Sequence, residues 1–147
     1  MSEKEIKQDL LPPREQGEDK TVKIRVLLVD DEEGYVNVLS NRLKKRGFDV
    51  TGTYSGTEAL QALRKKEFDV AVLDLKMEDM DGLEVLKVFK RMDAQMEVIM
   101  LTGHGSQTAA IQGIEMGAYD YLTKPCEFES LLKKIRKASQ KQKRESA

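Results

Sequence analysis

The chain has 147 residues, a formal net charge of -1, and 39% hydrophobic against 35% charged residues. That balance suits one soluble globular domain able to bury a core without staples, and it exerts no pull toward nucleic acid or a membrane. Trp is absent and aromatics make up 5%, which argues against a stacking platform for single-stranded nucleic acid.

Residues 1–21 are polar and charged, interrupted by Leu10-Leu11-Pro12-Pro13. They read as a flexible N-terminal extension, with a docking peptide built on Ile6, Leu10 and Leu11 as the alternative. An alternating pattern follows. A first strand, 24–29, runs into Asp30 and Asp31, and a helix carrying Tyr35, Val38, Leu39 and Leu43 stops at Gly47. Residues 49–54 form a second strand, and Ser55 caps a helix with Ala59, Leu60, Ala62 and Leu63, with Glu58 completing a capping box. A third strand, 69–73, leads into Asp74 and then into a helix with Leu83, Leu86, Val88 and Phe89. A fourth strand, 97–101, precedes a helix with Ala109, Ala110, Ile111 and Ile114 that ends near Gly117. A fifth strand, 118–122, leads past Pro125 to a last helix with Phe128, Leu131, Leu132 and Ile135. Five strands alternating with five helices predict an α/β doubly wound domain over 22–140, with right-handed crossovers. A basic tail occupies 141–147.

Cys126 is the single cysteine, so an internal disulfide and a paired-cysteine metal site are ruled out, and a reducing compartment fits. No hydrophobic signal region is present, and no apolar run approaches the roughly 18 residues of a membrane span. A cytoplasmic protein without membrane contact is expected.

Chemistry gathers at the strand ends, where ligand sites of such sheets lie. If the first and third strands are neighbours, Asp30, Asp31 and Asp74 crowd together, and like charges at that distance ask for a cation. Thr102 follows the fourth strand and Lys124-Pro125 the fifth. Carboxylates, a backbone carbonyl and water suit Mg²⁺; a lysine and a hydroxyl suit phosphoryl oxygens; a carboxylate can itself take a phosphoryl group. The set points to metal-assisted phosphorylation of an aspartate.

Leu-Leu-Val-Asp30-Asp31-Glu, Val-Leu-Asp74 with Met80-Asp81-Gly82 behind it, Leu101-Thr102-Gly-His-Gly, and Gly117-Ala-Tyr-Asp-Tyr121-Leu-Thr-Lys124-Pro125 stand in order. In these segments the chain resembles the CheY-like receiver domain of bacterial two-component response regulators. The resemblance implies a flavodoxin-like, five-stranded parallel sheet in the order 2-1-3-4-5. It implies Asp74 as phosphoacceptor, Asp31, Asp74 and the backbone carbonyl of Lys76 as direct Mg²⁺ ligands, and Asp30 acting mainly through water. Thr102 and Lys124 would hold the phosphoryl group, with a cis bond before Pro125, and Tyr121 would move inward with Thr102 as an aromatic switch. The partners implied are a sensor histidine kinase, a downstream effector protein or output domain, and a second copy in a phosphorylation-dependent homodimer. The face of the fourth helix, fifth strand and fifth helix would carry the signal; no direct nucleic-acid binding is expected. The Thr102 and Tyr121 segments look like those of receivers that control transcription with an ATPase module. The chain then reads as a stand-alone receiver or one whose output part lies outside this sequence.

Blander roles stand beside these. Asp30 or Asp31 could cap a helix, Thr102 could satisfy loop amides, and Tyr121 could be a half-buried core residue. Met77, Met80, Met92, Met96, Met100 and Met116 read as packing residues, Cys126 as an unreactive thiol, and Asp81-Gly82 as a loop and helix start. His104 and Lys76 are candidate rim residues that tune phosphate lifetime. Many receivers carry proline where this chain has Glu78, which leaves φ less fixed and adds a carboxylate at the pocket mouth. The cluster Lys133, Lys134, Arg136, Lys137, Lys141, Lys143 and Arg144 reads as a solvated helix end, with a nucleic-acid patch as the minority view. Two other classes compete: an aspartate-nucleophile phosphohydrolase, which lacks here the usual second aspartate two residues past the nucleophile, and a flavin-binding module, whose phosphate an acidic first loop would repel. As a module, the chain is expected to catalyse only its own phosphotransfer and dephosphorylation.

Overall fold

The computed structural model describes residues 22–103 and 106–146. The extension 1–21 and His104 lie outside them, as do the side chains of Lys143 and Arg144. Five strands, β1 (Arg25–Val29), β2 (Asp49–Thr53), β3 (Val70–Asp74), β4 (Glu97–Thr102) and β5 (Asp120–Thr123), alternate with α1 (Glu33–Lys45), α2 (Gly56–Lys65), α3 (Gly82–Met92), α4 (Gln107–Glu115) and α5 (Phe128–Ser146). The sheet is parallel in the order β2-β1-β3-β4-β5, as the resemblance implies.

Strand periodicity divides the core in two. Val26, Leu28, Val70, Val72, Ile99 and Leu101 join Val36, Leu39 and Leu43 of α1 and Leu131, Leu132 and Ile135 of α5. The alternate residues Leu27, Val29, Ala71, Leu73, Val98 and Met100 meet Ala59 of α2 and Val85, Leu86 and Phe89 of α3. Successive side chains of a strand point to opposite faces, so a sheet covered on both sides reads as an unbroken apolar run. Met96 and Met100 are wholly buried and Met77 and Met80 half-buried against this second layer, whereas Met92 and Met116 are exposed.

Helix stops fall where glycine predicts them. Gly47 and Gly117 take φ of 95° and 109°, and each closes a reciprocal cap: Phe48 N–H donates to Leu43 O and Gly47 N–H to Lys44 O, with Ala118 to Gly113 and Gly117 to Ile114 as the counterpart. This is the glycine-dependent helix end that pairs carbonyls the last turn would otherwise leave unsatisfied. At the start of α2, Ser55 Oγ accepts from Glu58 N–H at 3.0 Å, but Glu58 reaches the amide of Tyr54, at 2.9 Å, rather than that of Ser55. The box is shifted by one residue.

Three predicted core positions face solvent. Val38 is 60%, Ile111 57% and Ile114 39% exposed; α1 buries Val36 and Ser40 instead, and α4 buries Ala110 and Gly113. A 3.6-residue period leaves the register of the buried stripe open when apolar residues occupy more than one face. β5 begins at Asp120 rather than 118, and β3 and β4 each extend one residue further, through Asp74 and Thr102.

Candidate functional site

Val29 pairs with Leu73 in register, so the residues that follow them, Asp30 and Asp74, emerge together at the carboxyl edge of adjacent strands. Both are buried, with Asp31 half-buried beside them. Oxygens of the three carboxylates lie within 4.8 Å of one another. From β5, Lys124 reaches across, its Nζ 2.8 Å from Asp30 Oδ2, 2.8 Å from Glu32 Oε1 and 3.9 Å from Asp74 Oδ2. Thr102 ends β4, buried, with its hydroxyl donating to Leu122 O at 3.5 Å, and the Lys124-Pro125 bond is cis. Asp30, Asp31, Asp74, Thr102 and Lys124 therefore occupy one sheet edge.

Asp30 does not fill the cap role weighed for it: the N-cap of α1 is Glu32, with no side-chain cap, and Asp30 Oδ1 instead accepts from Glu32 N–H, at 3.0 Å, in the turn ahead of the helix. Lys76 is exposed, and its N–H donates to Asp74 Oδ1 at 3.2 Å. Tyr121 pairs in register with Met100 and is half-buried against the α2–α3 layer. Asp81 accepts from Leu83 N–H at the head of α3, as its predicted structural role requires.

Electrostatically the pocket is short of positive charge. Burial, reinforced by the charges of Asp30 and Asp31, pushes the Asp74 carboxyl up to about 6, against the lowering effect of the Lys76 N–H and Lys124. Burial pulls the Lys124 ammonium down, but hydrogen bonds with Asp30 and Glu32 and the nearby charges outweigh it and hold its pKa well above the ordinary lysine value. Four carboxylates, Asp30, Asp31, Asp74 and Glu32, thus share one ammonium. The excess of hard oxygen donors fits a divalent cation such as Mg²⁺, which binds through one or two carboxylates and keeps several waters.

Two residues of this neighbourhood escaped sequence reasoning. Glu32 is the second partner of Lys124, and only its place directly after the aspartate pair hinted at it. Asp79 accepts from the amides of Gly56 and Thr57, over 20 residues away, and no local pattern reports such a contact. The Cys126 thiol is pushed up by burial, which outweighs the lowering influence of the Tyr35 hydroxyl and of Lys124, in keeping with an unreactive thiol.

The family model for the response regulator receiver domain matches residues 26–136. The chain belongs to that family. This receiver is 40% identical over 113 residues to the uncharacterized transcriptional regulatory protein YkoG of Bacillus subtilis, covering 77% of this chain and 50% of that one. It is 35% identical over 116 residues to the transcriptional regulatory protein ZraR of Salmonella typhimurium, covering 79% of this chain and 26% of that one. The receiver thus spans half of one curated relative and about a quarter of the other. Among solved structures, a response regulator receiver domain protein from Clostridium thermocellum superposes with a TM-score of 0.79 at 32% identity, over 82% of this chain and 97% of that one. NtrX from Brucella abortus, in complex with ADP, superposes with a TM-score of 0.81 at 26% identity, over 85% of this chain and 29% of that one. Nothing in the site or in these relatives favours the phosphohydrolase alternative. Receivers bind Mg²⁺ at an acidic pocket, and this one presents such a cluster. No helix among its described residues is long and apolar enough to cross a membrane.

Proposed function

We propose that Asp74 is the phosphoacceptor of a two-component signalling switch. The observation that carries this reading is a buried carboxylate with a raised pKa, flanked by two further carboxylates, a lysine and a threonine at one sheet edge of a receiver fold. An oxygen of ionised Asp74 attacks the phosphorus of a phosphohistidine on a sensor kinase; the P–N bond breaks, the imidazole leaves, and an acyl phosphate remains on Asp74. Asp30, Asp31, Asp74 and the Lys76 carbonyl would hold Mg²⁺, with Asp30 acting mainly through water. When bound, the ion neutralises charge on the carboxylates and on the phosphoryl oxygens. Lys124 and Thr102 hold the phosphoryl group, and Tyr121 follows Thr102 inward to rearrange the α4–β5–α5 face.

That face would address an effector protein, an output domain or a second copy of the chain. In this reading residues 22–146 make no direct contact with nucleic acid. Partial neutralisation of the α5 lysines supports this: Lys134 lies 2.6 Å from Asp120, and Lys141 lies 3.7 Å from Glu97. A cytoplasmic module with no chemistry beyond its own phosphotransfer and dephosphorylation fits the reading. Intact-mass measurement after incubation with a small phosphodonor and Mg²⁺ tests it. Wild type is expected to gain one phosphoryl group and Asp74→Ala none; an equal gain in both refutes the assignment.

A further inference from the structure

Residues 75–81 join β3 to α3 and border the acidic pocket. On the pocket side, the N–H of Lys76 donates to Asp74 Oδ1 at 3.2 Å and the N–H of Glu78 to Asp31 Oδ2 at 3.2 Å. The second bond exists because residue 78 is not proline, which would have no N–H to offer. On the outer side, Asp79 turns away from the pocket. Its Oδ1 accepts from Gly56 N–H at 3.0 Å, and its Oδ2 from Thr57 N–H and the Thr57 hydroxyl at 3.1 Å each. Next to it, Met80 closes on Gly56: a β-carbon placed there would stand 2.8 Å from the Met80 sulfur.

Gly56 and Thr57 open α2, and their amides are among the donors that a helix start leaves unpaired. Ser55 already caps that helix through Glu58 N–H. Asp79 is therefore a second anion at the same terminus, arriving from a different loop. Its hydrogen bonds hold its carboxyl below the usual range, so it stays ionised at neutral pH. Adjacent residues thus grip opposite sides: Glu78 holds the carboxylate of Asp31, while Asp79 holds α2.

We propose that Asp79 is a positioning residue for the metal and phosphoryl site: by fastening the loop to the start of α2, it fixes the backbone groups of Lys76 and Glu78 against Asp74 and Asp31. The inference rests on the reading of the acidic pocket as a Mg²⁺ site. Without the fastening, the exposed stretch at Glu78 and Asp79 is freer to shift, and Asp31 loses the amide that orients it. Partners of that outer kind typically change metal affinity by about tenfold or more.

Ser55 separates this role from simple helix capping, since its hydroxyl caps α2 by accepting from Glu58 N–H of the same helix. Mg²⁺ affinity is measured by amide chemical-shift titration of wild type, Asp79→Ala, Asp79→Asn and Ser55→Ala, alongside thermal denaturation of each. Both alanine variants are expected to lower the melting temperature. Only Asp79→Ala should weaken Mg²⁺, by about tenfold, with Asp79→Asn in between and Ser55→Ala within about twofold of wild type. Asp79→Ala binding as tightly as wild type, or Ser55→Ala weakening Mg²⁺ to the same degree, overturns the proposal. Wild type that binds no Mg²⁺ overturns the reading of the pocket itself.

Discussion

Lys124 Nζ stands 2.8 Å from Asp30 Oδ2 but 3.9 Å from Asp74 Oδ2. The ammonium that would meet the incoming phosphoryl group is thus engaged with another carboxylate, and Glu32 Oε1, also at 2.8 Å, engages it further. The Tyr35 ring lies beneath it, 4.8 Å from Nζ to the centroid. On the proposed role of Asp74, its phosphorylation would require Lys124 to exchange partners, and the strength of its present contacts would help to set how readily it does so.

Glu32 is the exposed member of that pair of contacts, with 66% of its side chain accessible. An exposed ion pair of this kind is weak, so its removal changes rates modestly. Glu32→Gln should accelerate phosphorylation by a small phosphodonor about two- to fivefold, followed by intact mass against time. A slower reaction would show that Glu32 aims Lys124 at the site rather than holding it back.

Asp74 carries the pH dependence. Its carboxyl is raised from 3.8 to about 6, so the protonated form is the one that folding favours. Its stabilising contribution is complete below pH ~4 and is lost as pH rises through about 6. In metal-free buffer, Asp74→Asn should therefore be more stable than wild type at pH 7.5, by about 1–2 kcal/mol after allowance for solvent access. The gain should shrink between pH 6 and pH 4. Urea denaturation across that range measures it, and a gain independent of pH would contradict the raised carboxyl.

Gly82 is fixed by close approach. A β-carbon there would collide with the Leu75 Cα and stand 2.7 Å from the Leu75 carbonyl oxygen, which accepts the Gly82 N–H at 3.2 Å. Because the obstruction is backbone, it cannot swing aside. Gly82→Ala should lower stability by about 2–3 kcal/mol and shift the loop that carries Lys76 and Glu78. Chemical denaturation gives the first effect and amide chemical shifts of residues 75–81 the second.

Much of this site was legible without coordinates. Asp30, Asp31 and Asp74 could be placed together because short buried runs ending in aspartate imply parallel strands whose ligands gather at their carboxyl ends. Gly47 and Gly117 could be read as stops because a positive φ is a local demand that glycine meets best. These are short-range rules, written in neighbouring residues. Tertiary structure alone decided that Glu32 shares Lys124 with Asp30, that Asp79 fastens a loop to α2, and that Val38 and Ile111 face water while Val36 and Ala110 do not. It also decided the raised carboxyl of Asp74. Desolvation, ion pairing and the register of a buried helical stripe depend on which distant segments arrive alongside, and those are set only when the chain has closed on itself.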